Sequence, residues 1–482
     1  MPLQSFFTRR INVFISIAAI VVMVSGCQST GDPTLTSTAN LPAPSVTTVQ
    51  EPTPVPPTPT VTPIYLVPED QLKGLPINFF HPWTGDLSMA VEKLVAEFNQ
   101  VNEWGIQVTA VSSGSSMALA ETVENGSDGE LMPQVVLAPS EHLLTWLDRE
   151  NRIRPLNDFI ADPVLGLSEQ ARVNFPLVFW QQDQLGGMQV GIPAQRDTPV
   201  IFYNQTWASE LGFNTPPATI DAFKEQACAA ADINSHDRFA ANDGTGGWIV
   251  NTDGQVVYSW LMTFGLENAL AGDPFAFNFN QPATEQAFTF LRSMVDEGCA
   301  WFARSTASNE YFASRQALMV SGSLTDLSLQ AKTQERLEST DVWTILPYPD
   351  GDRTVSVTSG LSFGVMVGTP QQELASWLFV RWMSQPENNV QLLLAGGGLP
   401  VNNLTAELAE QQMDSPPAWA ESIAWIPSMK STPTAASWRI ARFVLQDAFW
   451  YAMQSSTTVE DIPLILEQLD ATIAEVESVQ GQ

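Results

Sequence analysis

Fifty-two acids, fifteen Trp, three His and three Cys are the residues from which this 482-residue chain could build chemistry. His81, His142 and His236 are scattered, and Cys27, Cys228 and Cys299 lie far apart, so no nitrogen–sulfur metal site of ordinary spacing can be assembled. Gly360-Leu361-Ser362-Phe363-Gly364 matches the G-x-S-x-G pattern of a hydrolase nucleophile elbow. That motif needs a helix after the Ser and a later His, but Val365-Met366-Val367 reads as continuing strand and no His follows His236. No G-x-x-x-x-G-K-[ST] phosphate loop occurs. A glycosidase needs two carboxylates about 5–10 Å apart, and no acid pair here sits in a motif. Neither a metal nor another cofactor is expected.

The elements around them divide the chain sharply. Lys and Arg number 21 against the 52 acids, a formal charge of −31, and such a surface repels phosphate backbones, which argues against nucleic-acid binding. Arg9 and Arg10 precede an apolar run from Ile11 to Gly26, the layout of a secretory signal. The run ends Val24-Ser25-Gly26-Cys27, which resembles a bacterial lipobox; residues 1–26 are then the signal peptide, and Cys27 carries the lipid that holds the chain to the outer face of the cell membrane. Residues 28–68 hold ten Pro, ten Thr and only two charged residues, Asp32 and Glu51, so this stretch cannot bury a core. It reads as an extended spacer of roughly 3 Å per residue, with the body spanning 69–482. Outside the cell, Cys228 and Cys299 form an even remainder, and a structural disulfide between them is expected.

From Leu75 the pattern becomes that of alternating strands and helices. Leu75–Phe80 reads as a buried strand, followed by a helix capped by Asp86 with apolar Leu87, Val91, Leu94, Val95, Phe98 and Val101 on one face. Ile106–Val111 and Gln134–Ala138 are further strands, with a helix over His142–Arg149. Met188–Pro193 and Val200–Tyr203 are strand-like, and helices are predicted at Ile220–Ala231, Thr284–Glu297, Glu373–Ser384 and Ala436–Met453. This alternation implies parallel βαβ units, whose ligands gather where strands end. The loops of interest are therefore 81–85, 112–116 and 139–141.

An ordered set of segments carries a resemblance. Phe79-Phe80-His81-Pro82-Trp83-Thr84-Gly85 with Leu94–Asn99, Pro133–Leu137, Ile153–Asp158, Gly191-Ile192-Pro193 with Ile201–Asn204, Leu211-Gly212-Phe213 with Pro216–Thr219, Gln316–Ser323 and Gly397–Val401 occur in sequence. Together they resemble family 1 extracellular solute-binding proteins of ABC importers, the maltose-binding-protein-like group. Two positions depart from that group: Ile220 follows Thr219 where Trp is usual, and Leu324 follows the Gly322-Ser323 turn where sugar binders often carry Trp. The resemblance implies an α/β fold of two lobes, each a parallel-rich sheet flanked by helices, with a hinge between them. Lobe 1 covers about 75–194 and 354–398, and lobe 2 about 199–346 and 402–478, with crossings near Gln195–Pro199 and Pro347–Arg353. It implies a monomer that captures a small polar solute by hinge closure and hands it to ABC permease subunits. A mono- or oligosaccharide leads; a glycerol phosphodiester, a ligand-sensing role, and a secreted glycosidase are the alternatives.

A sugar pocket needs aromatic faces for ring C–H groups and fixed polar groups for hydroxyls. Trp83, Trp248 and Trp438 are the aromatic candidates, whereas Trp146, Trp260, Trp377 and Trp382 fall in helical patterns and read as core. His81, Ser112, Ser113, Ser140 and Glu141 stand at strand ends of the first lobe. Arg196 at the crossing could hold a ligand or brace the hinge with an acid. Ser323 and Gly360 border the cleft by resemblance, the Gly letting backbone approach a ligand closely.

Overall fold

The computed structural model describes residues 66–126, 131–271, 276–303, 307–350, 353–412 and 417–480. The export signal, Cys27 and the spacer up to residue 65 lie outside the described residues. The first sheet is built from β1 (Pro76–His81), β2 (Gln107–Ser112), β3 (Val135–Pro139) and β4 (Ile192–Asp197). The second begins with β5 (Pro199–Asn204) and β6 (Gly246–Ile249), and continues with β7 (Ala300–Trp301), β8 (Ala317–Ser323) and β9 (Trp343–Leu346). The chain then returns to the first sheet in β10 (Val357–Val365) and β11 (Lys430–Ser431).

In the first sheet the order is β11-β10-β3-β1-β2, with β4 also on β10. Here β1 runs parallel to β2 and β3, and β10 runs antiparallel to β3 and β4. The second sheet has the order β7-β6-β8-β5-β9. The helices that cover them are α1 (Gly85–Val101), α2 (Ser116–Asn125), α3 (Ser140–Asp148), α4 (Ile220–His236), α5 (Gly254–Thr263), α6 (Pro282–Asp296), α7 (Pro370–Met383), α8 (Pro386–Gly396), α9 (Trp438–Ala452) and α10 (Ile462–Gln480). In α1, Val91, Leu94, Val95 and Phe98 are buried at the 3–4 spacing that one helical face provides. Its N-cap position is Thr84 rather than Asp86. Asp86 sits inside the first turn, where a carboxylate still suits the positive end of the helix.

Each sheet packs apolar clusters of its own. Phe79, Phe98, Leu137, Phe363, Trp377 and Phe379 share one against the first sheet. Trp248, Trp260, Phe288, Met319, Trp438 and Phe449 share another against the second. The chain passes between sheets at Thr198, between β4 and β5, and returns between Leu346 and Val357. The return includes a short hairpin in which Tyr348 pairs with Val355. Cys228 on α4 is bonded to Cys299 just before β7, a closed loop within the second sheet's helices.

Candidate functional site

Parallel β1, β2 and β3 deliver His81, Ser112 and Pro139 to one end of the first sheet, with Ser140 and Glu141 opening α3. Ser112 Oγ donates to the Trp83 carbonyl at 2.6 Å, and the Ser113 amide donates to the His81 carbonyl at 2.8 Å, so the two strand-end loops are stitched together. His81 is 1% exposed, its Nδ1 has no hydrogen-bond partner among the described residues, and burial pushes its pKa down to about 4. Trp83 is buried beside it, the ring centroids 6.3 Å apart.

The start of α9 stands against α2 and α3. Arg439 pairs with Glu124 at the end of α2, Arg442 Nε lies 3.9 Å from Glu141 Oε1, and Thr145 Oγ1 donates to the Ala436 carbonyl at 3.3 Å. Burial raises the Glu141 pKa, with Arg442 opposing that shift. His142 is pushed down to about 3 by burial, helped by the positive charges of Arg439 and Arg442. Nearby, Ser359 Oγ of β10 donates to Gln255 Oε1 of α5 at 2.7 Å. At the start of α5, a Cβ on Gly254 would come within 2.5 Å of the Arg442 carbonyl oxygen, so only glycine permits this helix contact. Helices of the second sheet therefore meet the strand ends of the first across a polar, ion-paired seam.

Several expected ligand residues are placed elsewhere. Trp438 is 1% exposed in the core of the second sheet, its ring 5.3 Å from Tyr258 and 6.0 Å from Phe277. Trp248 is fully buried as part of β6. Its Nε1 donates to Ser321 Oγ at 3.1 Å, and its ring meets Phe223 and Trp260 edge-on. Their indoles are consumed by packing.

Arg196 is also fully buried: Nη2 donates to Asp183 Oδ2 at 2.8 Å and to the Phe179 carbonyl at 2.9 Å. Its Nη1 donates to the Leu361 carbonyl and Ser362 Oγ. Ser140 Oγ donates to the other oxygen of Asp183 at 2.5 Å, which turns this hydroxyl inward to the same network. Gly360 serves a close approach, but to protein: a Cβ there would lie 2.1 Å from the Gln195 carbonyl oxygen, beside the register shift at Leu361/Ser362. Ser323 bonds the Asp197 carboxylate and forms a capping box with Asp326. Burial pushes Asp197 up to about 6. Ser323 thus ties the end of β8 to the first crossing.

Arg442, Glu124 and Gln255 were not singled out from sequence. The spacing of Arg439 and Arg442, three apart at the start of an amphipathic helix, puts both on one side of it and was the available signal. Nothing in the sequence marks Asp183 as the partner of Arg196, thirteen residues away.

No curated relative matches the sequence. The profile of the family described as bacterial extracellular solute-binding protein matches residues 93–421. The chain belongs to that family. Solved structures similar to it include the cyclic alpha-maltosyl-1,6-maltose binding protein of Arthrobacter globiformis, with TM-score 0.67 and 17% identity over 83% of this chain and 99% of that one. The sugar-binding protein MalE of Xanthomonas citri superposes with TM-score 0.69 and 17% identity, over 84% and 99%. UgpB of Mycobacterium tuberculosis, solved in complex with glycerophosphocholine, gives TM-score 0.67 and 16% identity over 83% and 99%. The fold is the two-lobed α/β fold of periplasmic binding proteins, and the protein is an exported solute-binding protein.

Proposed function

We propose that this chain captures a mono- or oligosaccharide between its lobes and delivers it to an ABC permease, tethered to the outer face of the membrane through lipidated Cys27. The lobe limits read from sequence, about 75–194 with 354–398 and about 199–346 with 402–478, serve as the moving bodies. The observation that carries the reading is the polar seam, where Glu124 of α2 and Glu141 of α3 face Arg439 and Arg442 on α9, next to the strand ends that carry His81, Ser112 and Ser113. A sugar's hydroxyls both donate and accept, so they can bond carboxylate and guanidinium alike as the lobes part to admit it. Trp83 lies behind this face, the remaining aromatic candidate beside the loops.

A glycerol phosphodiester is the second reading, favoured by the two arginines on one helix side and by the likeness to UgpB. Against it, Arg196 is already neutralised by Asp183, and Arg439 and Arg442 each face a glutamate that a phosphate would have to displace. The solute is bound and not transformed: Ser362 of the G-x-S-x-G match lies inside β10 and donates to Asp183. A thermal-shift screen of the exported chain against sugars, polyols and glycerol phosphodiesters tests this. A sugar at a hundred times its dissociation constant adds about 2.7 kcal/mol. Stabilisation by phosphodiesters alone transfers the assignment to the second reading, and turnover of a chromogenic glycoside overturns the non-enzymatic one.

A further inference from the structure

A cavity of about 920 Å³ opens at the far end of α5 from Gly254, between the turn that follows this helix and the return crossing into β10. Its floor is apolar, with Leu266 and Val357 each 1% exposed. Its polar groups are the hydroxyls of Ser356 and Ser428, the Lys430 ammonium, and the carboxylates of Glu267 and Asp350. Ser356 is 2% exposed, lines the cavity, and its Oγ has no hydrogen-bond partner among the described residues. A buried hydroxyl without a partner is costly, and a ligand oxygen in the cavity removes that cost.

We propose that this cavity is a second binding site, taking a small neutral polyhydroxy solute of mono- to disaccharide size. The volume falls in the range of small-molecule pockets. Charges of both signs line it, so an anion meets Glu267 and Asp350 while a cation meets Lys430. A neutral hydroxylated molecule bonds favourably with all three, supplies Ser356 with its missing partner, and lays C–H groups on Leu266 and Val357. The site shares no residue with the seam at α9 and does not depend on what that seam takes.

The test is calorimetry and saturation-transfer NMR on the exported chain with glucose, trehalose and sorbitol as probes. Ser428→Trp fills the cavity from an exposed position, Ser356→Ala removes the orphan hydroxyl, and Ser113→Trp crowds the other site as a control. One probe is expected to bind with an affinity that falls about tenfold or more in Ser428→Trp and about fivefold in Ser356→Ala, and that Ser113→Trp leaves unchanged. If Ser428→Trp melts well below the wild type, Lys430→Ala, a truncation of an exposed side chain, replaces it with the same expected direction. Absence of binding by all three probes at tens of millimolar overturns the proposal. So does an affinity that neither cavity variant changes, even where Ser113→Trp abolishes a separate sugar site.

Discussion

At the scale of single residues, burial decides what a side chain can still do. A tryptophan at the start of α9 reads from sequence as a stacking platform, but Trp438 is held on all sides by Tyr258, Phe277 and their neighbours. Trp438→Ala should therefore lower stability in urea by about 3–5 kcal/mol even without ligand, the usual cost of emptying a core tryptophan. An unliganded melt close to wild type would instead return it to the binding face. His81 gives a pH signature. Its pKa falls from 6.5 to about 4 on folding, so between these values the unfolded chain binds the extra proton. Stability from this group is complete above pH 6.5 and is lost as pH falls toward 4. Asp197, raised to about 6, acts in the opposite sense, its ionisation weakening the fold as pH rises from 3.8 to 6. The comparison that isolates the histidine is His81→Asn against wild type: the variant should show a shallower fall in urea midpoint between pH 6.5 and 4. Equal slopes would mean that His81 titrates normally in the folded state.

At the scale of elements, the strands and helices were legible and the seam between them was not. Val91, Leu94, Val95 and Phe98 announce α1 because a buried face repeats every three to four residues. Gly298 announces the end of α6 in the same local way, with φ of +75° that other residues resist. By contrast, the partners of Arg196, Arg439 and Arg442 are fixed by packing of segments that are distant in sequence: Glu124 and Arg439 are 315 residues apart. A local pattern cannot carry that information, which is why strand-end loops could be placed while the side chains facing them could not. The seam also makes an energetic prediction. Arg439 and Arg442 tie α9 to α2 and α3, so they hold the lobes together in the absence of solute. The Arg439–Glu124 pair is partly exposed, and such a pair contributes only about 1 kcal/mol or less to folding. Glu141 is buried, so losing Arg442 alone would strand its carboxylate. The variant Arg439→Ala/Arg442→Ala/Glu141→Gln, which leaves no unpaired buried charge, should thus melt near wild type while its unliganded radius of gyration, by small-angle scattering, increases. An unchanged radius would show that apolar contacts alone keep the lobes closed.

At the scale of the whole molecule, two separately cored lobes joined by crossings can fail independently, and the disulfide tells which one does. Cys228 and Cys299 sit on elements of the second sheet only and close a loop 71 residues apart in sequence. Reducing the bond frees the unfolded second lobe of that constraint and should cost it roughly 4 kcal/mol, while leaving the first lobe's Phe79–Phe98–Trp377 core untouched. Opposing a clean separation, Val390 and Leu393 of α8 and Leu399 pack with Val200, Phe202 and Leu324 of the second lobe, which couples the two bodies. That shared cluster holds fewer buried side chains than either main core, so a loss confined to the second lobe can pull the two transitions apart. Calorimetry should accordingly show one merged transition for the oxidised protein. With reductant it should resolve into two, the lower belonging to the second lobe and the upper staying in place. A single transition that moves down as a unit under reductant would mean that the coupling through α8 is strong enough to make the lobes one cooperative body, and hinge motion would then have to proceed by sliding along that contact rather than by its release.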